Sequence, residues 1–288
     1  MKPSERAMKA LNHSEPDKVP FGELVVEEEF IKTFLDVDYV DAAVKSTFFH
    51  SLGHDITCLQ QPGEIKYFRQ ETDFFIFGLV NGGLSRFIQR WKDFFSAMVN
   101  LTDKPAQASQ FIQEDNLKAG QEAENLLAHG AHGVIIADDL AYDKDLFLSP
   151  KLLRKMYFPS LKSVVKKIKS ENHPVFFHSD GNYKKILQDL VDTGFDGIQC
   201  LEQVSGMDIF ELKKFFGRQL CLMGGIDLGY LSRTCSVEKI AEHVQYVMKT
   251  GKPGGGYFFG TNGGLYGGLS ADAVHKMYEI AKKQAHYK

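Results

Sequence analysis

From about residue 130 onward, short apolar runs alternate with segments of helical spacing, and this repeat constrains the fold more than any other feature. The runs are six to nine residues long and are separated by segments with apolar side chains three or four positions apart. Continuous apolar runs are typical of parallel strands buried on both faces. The alternation, without any hairpin signal, predicts the α/β class. The five runs are 132–139, 173–181, 197–202, 219–227 and 256–264.

The first half of the chain is compatible with the same repeat. Candidate strands lie at 19–26, 55–60 and 73–83, which brings the total to eight. We therefore predict a single (β/α)₈ TIM barrel over residues 1–288, with an N-terminal helical extension at 1–18. The competing architecture is an open doubly wound sheet, which usually carries a GxGxxG turn after its first strand, and none is found here.

Composition narrows the classes of partner. The formal net charge is -3, so nucleic acid and anionic membranes are not expected as partners. No apolar run approaches the ~20 residues that span a bilayer, and the N-terminus lacks the apolar core of a secretory signal. The four cysteines are scattered and form no CxxC pair, which is typical of reduced thiols in a cytoplasmic protein. The sequence is also compatible with assembly as a homodimer.

Polar residues follow the predicted strands at their C-terminal ends, where barrels of this kind place their chemistry. His178 directly follows a buried run and precedes Asp180, Gly181 and Asn182. Each residue also has a purely structural interpretation. Asp138 or Asp139 could cap a loop, Glu202 could form an ion pair at the rim, Asp227 could cap a turn, and His178 could be a hydrogen-bonded core histidine.

A metal site is one functional interpretation of these residues. His178 and Asp180 are two positions apart, so at a strand end both side chains point the same way. Glu202 follows the next predicted strand, at a spacing of about 4.8 Å. Imidazole with carboxylates and an open position is typical of a catalytic zinc site, so we predict His178, Asp180 and Glu202 as ligands. Cys200 is either a further soft ligand or, as free cysteines usually are, a buried inert thiol.

Several segments resemble the uroporphyrinogen decarboxylase superfamily, nearly from end to end. SERAMKALNHSEPDKVPF is similar to the opening segment of these proteins. DDLAYDKDLFLSPKLLRKMYFPSLK, VFFHSDGN and LMGGID are similar to segments of its corrinoid-dependent methyltransferases, including those that act on methoxylated aromatics. In the related zinc enzymes a His-x-Cys pair, a Glu and a second Cys form the site. Here His178 and Glu202 match, but Asp180 replaces the first Cys, and the second falls near Asn262 and Gly263.

The resemblance implies a methyltransferase that moves a methyl group from a small donor to a corrinoid protein. Because both thiolates are missing, either His and carboxylates hold the zinc or the metal has been lost. A site without thiolates suits a Lewis acid acting on an ether oxygen. On this interpretation the catalytic residues are His178, Asp139 and Asp180. The residues that bind the substrate are Asp138, Tyr142, Asn182, Asp227 and Asn262.

Two alternatives stay open. One is a decarboxylase acting like uroporphyrinogen decarboxylase, although residues 21–30 are acidic and lack the arginines that would hold a polyanionic porphyrinogen. The other is a non-catalytic barrel that binds a corrinoid or a partner protein, which the absent thiolates favour. The chain is also shorter than typical relatives between Cys58 and Phe74, where an extra hairpin usually lies.

Overall fold

A curved parallel sheet runs through the computed structural model, which describes residues 1–287. Its seven strands are hydrogen-bonded in sequence order, each parallel to the next, with helices in the connections. This is a TIM-barrel-like α/β fold, as predicted from the strand–helix alternation. The strands are β1 (Ile56–Leu59), β2 (Phe75–Asn81), β3 (Gly133–Ala137), β4 (Val175–His178), β5 (Gly197–Gln199), β6 (Cys221–Ile226) and β7 (Tyr257–Thr261).

Thirteen helices are found within the described residues, with short 3₁₀ turns between some of them. They are α1 (Pro3–Leu11), α2 (Glu28–Leu35), α3 (Ala42–Leu52), α4 (Pro62–Glu71), α5 (Gly83–Gln89), α6 (Phe94–Asp103), α7 (Pro105–Ala128), α8 (Pro150–Met156), α9 (Phe158–Ser170), α10 (Leu187–Thr193), α11 (Ile209–Phe216), α12 (Val237–Gly251) and α13 (Ala271–Gln284). None of them is both long and apolar enough to cross a membrane.

The segment predicted as the first strand, 19–26, makes isolated bridges instead of an extended strand. Phe21 bridges to Phe259 of β7 and Gly22 to Ile56 of β1, both in parallel. The segment therefore bonds to both edges of the seven-stranded sheet. Pro20 has no N–H to donate, and only its carbonyl takes part, accepting from the Phe259 N–H at 2.9 Å. The predicted count of eight strands is thus not met, although the segment lies where the eighth strand would be.

Buried side chains form two layers, one on each face of the sheet. The outer layer packs the strands against the helices and holds most of the apolar core. The inner layer contains alternate strand residues such as Phe77, Ile135 and Phe176, as the two-residue period of a strand requires. Ala7 and Leu11 of α1 join this inner layer, so α1 covers the N-terminal end of the sheet. The opposite end, which we call the mouth, is left for polar residues.

Local sequence signals account for several helix boundaries. The Ser149 side chain accepts from the Leu152 N–H and caps α8, with Pro150 in its first turn. The helices α8 and α9 are separated at Tyr157, because the ring of Pro159 excludes a continuous helix one turn earlier. Glu28 and Glu29 lie in the first turn of α2, where the helix dipole favours carboxylates.

Candidate active site

His178 is the last residue of β4 and is brought to the mouth by the strand register. Its neighbours across the sheet are Ala137 on β3 and Gln199 on β5. Its side chain is 9% exposed, so the imidazole is enclosed but reaches the surface at one edge. The sequence prediction that the imidazole lies at a strand end facing this rim agrees with its position.

Gln199 holds one side of the imidazole. The Gln199 Nε2 donates to the backbone carbonyls of Thr261 at 3.1 Å and Asn262 at 2.9 Å. Carbonyls only accept, so this end of the amide is its NH₂ group and the Oε1 faces His178 Nδ1. In the neutral ring Nδ1 therefore carries the proton and donates to Oε1. The lone pair of Nε2 is left facing the mouth.

Two carboxylates stand beside that lone pair without a hydrogen bond to it. The Nε2 of His178 lies 3.7 Å from an Asp139 oxygen and 3.8 Å from an Asp180 oxygen, and both carboxylates are about half exposed. Two ligands of a tetrahedral zinc ion, each bound at 2.0–2.2 Å, are separated by about 3.4 Å. Ligand atoms of the three residues all lie within 4.8 Å of one another, so rotation of the two exposed carboxylates would bring all three to one ion. The donor set therefore fits a divalent cation.

Glu202 belongs to a second group at the mouth. Ligand atoms of Glu202, Asp180 and Cys200 all lie within 4.8 Å of one another. Asp180 therefore belongs to both groups. Glu202 itself accepts from the Gly181 N–H at 3.0 Å and the Ser205 hydroxyl at 3.1 Å. Of the predicted ligands, His178 and Asp180 therefore lie together with Asp139, whereas Glu202 lies with Asp180 and Cys200 in the second group.

The backbone at Cys200 explains that difference. β5 ends at Gln199, and Cys200 has φ +78°, a left-handed conformation that non-glycine residues rarely adopt. The buried Tyr183 hydroxyl donates to the Cys200 carbonyl at 2.8 Å and holds the turn. The chain therefore leaves the strand direction before Glu202 is reached. Burial, and then the neighbouring carboxylates of Asp180 and Glu202, raise the pKa of the Cys200 thiol well above its usual range.

Asp138, predicted to line the substrate pocket, faces away from the mouth. Successive strand residues point to opposite sides, so Asp139 faces the mouth while Asp138 is buried in the helix layer. Its carboxylate accepts from the backbone N–H of Leu84 at 3.0 Å and of Ser85 at 2.5 Å, and so caps the start of α5. The structure therefore gives Asp138 a capping role, at a helix of the preceding connection, with the residue fully buried.

Asn262 and Asp227 form a buried pair at the ends of β7 and β6. The Asn262 side chain donates to an Asp227 oxygen at 2.6 Å and accepts from the backbone N–H of Gly225 at 2.8 Å. A side chain at Gly224 would collide with the Asn262 amide oxygen, at 2.8 Å from its Cβ, so glycine is required there. Burial raises the pKa of Asp227. Asn262 therefore joins loops, while Asp227 borders a cleft.

That cleft has a volume of about 610 Å³ and opens beside the second acidic group. Glu202 and Asp227 form its polar side, and Tyr230, stacked on His243 with ring centroids 4.0 Å apart, forms an aromatic side. It is also bordered by Lys239 of α12 and by residues of the loops after β5 and β6, namely Val204, Leu228, Gly229, Ser232, Thr234 and Cys235.

The remaining predicted pocket residues lie on the rim near β3 and β4. The Tyr142 ring is about half exposed and stacks on Phe147 at 5.8 Å. The Asn182 N–H donates to the Tyr142 carbonyl at 2.9 Å, so the two residues tie these loops together. Neither borders the cleft described above.

Sequence reasoning missed Gln199 and the loop around Tyr230. Gln199 left a signal, because it is a glutamine inside the apolar run at 197–202, where a buried amide must find partners. Its pairing with His178 depends on strand register, which spacing alone does not give. Tyr230 left no comparable signal.

Comparison with known proteins gives one matching family and several solved structures of similar fold. A family model described as uroporphyrinogen decarboxylase (URO-D) matches residues 78–284. A search of curated proteins gives no significant match.

Solved structures with the same fold include methyl-transferring proteins. A methyltransferase from Methanosarcina mazei superposes with a TM-score of 0.80 at 16% identity, covering 98% of this chain and 99% of the other. A B12-independent methionine synthase from Shewanella sp. W3-18-1, in complex with selenomethionine, gives 0.59 at 14% identity, covering 92% and 98%. The corresponding putative enzyme from Listeria monocytogenes gives 0.53 at 10% identity, covering 94% and 97%. At these identities the likeness shows the fold.

Proposed function

The chain belongs to the uroporphyrinogen decarboxylase family, and on that premise we propose that it is a methyltransferase-like enzyme whose reaction takes place beside His178. One observation carries the proposal. The Nε2 lone pair of His178 faces the mouth between two carboxylates and has no hydrogen-bond partner among the described residues. Such an arrangement is suited to a cation, and the fold is shared with a methyltransferase.

We assign the cation, zinc by preference, to His178, Asp139 and Asp180. A bound divalent ion supplies a Lewis acid that polarises the oxygen of an O-methyl donor, such as a methoxylated aromatic. The three residues leave the side toward solvent open, which a catalytic site requires and a structural site does not. Asp139 also accepts from the Asp180 N–H at 3.0 Å, so the two acidic loops are tied together before any ligand binds.

We assign the methyl donor to the cleft beside Glu202. The Tyr230 ring and Leu228 offer apolar contacts for a small aromatic body. Because burial raises the pKa of Asp227, its carboxyl group keeps a proton to higher pH than an exposed aspartate, and can hold a hydrogen bond at the donor's oxygen. The methyl acceptor in this proposal is the corrinoid of a separate protein, whose cobalt supplies the nucleophile while the barrel orients the donor.

The first experiment is metal analysis of wild type and His178→Ala, both purified without chelator. We expect about one equivalent of divalent metal in wild type and a strong reduction in the variant. His129→Ala is the matched control, because this exposed histidine bonds only to a carbonyl of its own helix. Equal metal content in wild type and His178→Ala contradicts the ligand assignment.

The second experiment separates methyl transfer from decarboxylation. Wild type is incubated with a methoxylated aromatic and reduced free corrinoid, and the phenol and methylcorrinoid are measured. We expect both products from wild type and neither from His178→Ala. Turnover of uroporphyrinogen without any corrinoid, with no demethylation, would replace the proposal with a decarboxylase. Absence of both activities, with no metal bound, would favour a binding role.

A further inference from the structure

We propose that Gln199 is a positioning residue that fixes the tautomer of His178, and that the end of β7 fixes Gln199 in turn. This rests on the proposed role of His178 as a ligand, but its decisive test needs neither methyl transfer nor metal.

The amide of Gln199 is fully used. Both Nε2 hydrogens are directed to carbonyls, those of Thr261 and Asn262, and Oε1 is left for His178 Nδ1. Turning the amide over would set Oε1 against two carbonyl oxygens and the NH₂ group against the Nδ1–H. Gln199 is 0% exposed, so water cannot replace a lost partner. Only one orientation satisfies every donor.

The two carbonyls are themselves held in place. The Thr261 N–H donates to the buried carboxylate of Glu23 at 3.1 Å, and its hydroxyl donates to the same group. The Asn262 side chain accepts from the Leu201 N–H at 2.9 Å and from the Gly225 N–H at 2.8 Å. The end of β7 is therefore fixed to the 19–26 segment on one side and to β6 on the other. Gln199 transmits that fixed position to the imidazole.

The consequence for His178 is a preference between its two neutral tautomers. With the proton on Nδ1, a donor meets the Gln199 acceptor and Nε2 keeps a lone pair for a cation. With the proton on Nε2, two lone pairs face each other at Nδ1 and Oε1 in a buried setting. Leaving such groups unpaired disfavours a state by about 5- to 150-fold, so the Nδ1–H form should predominate in the neutral population.

The decisive measurement is the ¹⁵N spectrum of metal-free wild type labelled at histidine, at a pH where His178 is neutral. The His178 signals are identified as those missing from the His178→Ala spectrum. We expect a protonated Nδ1 and an unprotonated Nε2. A proton on Nε2, or comparable amounts of the two forms, overturns the proposal. Because wild type is used, the test does not depend on a variant folding.

A variant then measures how much Gln199 contributes to zinc affinity. Gln199→Met keeps the length of the side chain and removes both the acceptor and the donors. We expect zinc affinity, measured by competition with a chromogenic chelator, to fall by about 10- to 100-fold, as is usual when the partner of a ligating histidine is lost. Gln203→Met is the matched control, since this exposed glutamine lies four residues further along the same chain segment. Unchanged affinity in a folded Gln199→Met variant contradicts the role of Gln199.

The outcomes separate this inference from the proposed function. A protonated Nδ1 in a protein that binds no metal would uphold the role of Gln199 and reject the metal site. Metal bound at His178 with equal affinity in wild type and Gln199→Met would do the reverse.

Discussion

Two aspartates at one end of the sheet are paired with an arginine, and two at the other end lie beside a histidine instead. At the N-terminal end, the buried Arg6 lies between Asp17, at 2.6 Å, and Asp55, at 2.5 Å. At the mouth, Asp139 and Asp180 face an imidazole, and no lysine or arginine in the described residues pairs with either of them.

The difference indicates which charges serve the fold. A buried charge that only stabilises a fold must have a partner, because desolvation would otherwise remove its benefit. The Arg6 guanidinium accordingly holds the pKa of Asp17 well below its usual range. Acids that gather around an enclosed histidine without a countercharge are better suited to a ligand. The comparison therefore predicts large stability effects at one end and large binding effects at the other.

The largest stability effect is expected for Arg6→Leu. This change removes the closer of the two cations beside the buried Asp55 carboxylate and leaves only Lys18, at 3.3 Å. Removing one partner of a buried pair usually costs about 3–5 kcal/mol. Urea unfolding of metal-free protein measures it. Arg154→Leu is the matched control, because its pair with Asp189 is exposed and should leave the free energy of unfolding nearly unchanged. Equal losses in the two variants would remove the contrast between buried and exposed pairs.

A pH-dependent effect is expected from Glu23, which is buried but bonded to neutral donors only. Burial raises its pKa to about 7 from an ordinary value of 4.5. The folded state therefore holds a proton that the unfolded state releases. The stability that Glu23 contributes is full below about pH 4.5 and is lost as pH rises through about 7. The loss is on the order of 3 kcal/mol. Glu23→Gln should lack it, which unfolding at pH 5 and pH 8 would measure. A constant difference between variant and wild type across this range would refute the assignment.

The smallest stability effect is expected for Asp139→Asn and Asp180→Asn. Both side chains are half exposed and lack a cationic partner, so metal-free stability should change by less than about 0.5 kcal/mol. Zinc affinity should nevertheless fall strongly, since an amide is a poorer ligand than a carboxylate. Asp143→Asn, on the same exposed loop, should change neither quantity. A substantial loss of stability without loss of zinc binding would assign these acids to the fold.

Prediction from sequence succeeded where a short pattern determines the structure. Buried apolar runs gave the strands, and because side chains two positions apart at a strand end point the same way, His178 and Asp180 were expected together. The break between α8 and α9 at Tyr157 is likewise local, because it follows from the ring of Pro159.

It was less successful where three-dimensional register decides. Asp138 and Asp139 are adjacent in sequence, and only the orientation of β3 in the sheet determines which side chain points to the mouth. Glu202 was expected with His178 and Asp180, and it lies with Asp180 and Cys200 beyond the left-handed turn at Cys200. Gln199 was overlooked because its partner is 21 residues away and is set by strand pairing.

The central claim is that the Nε2 lone pair of His178 faces a cation site. Anomalous X-ray scattering at the zinc edge, from crystals of protein grown without chelator, tests it most directly. We expect a single strong peak within about 2.2 Å of His178 Nε2 and close to the Asp139 and Asp180 carboxylates. A peak bound elsewhere, or none at His178 after zinc is supplied in excess, would contradict the account.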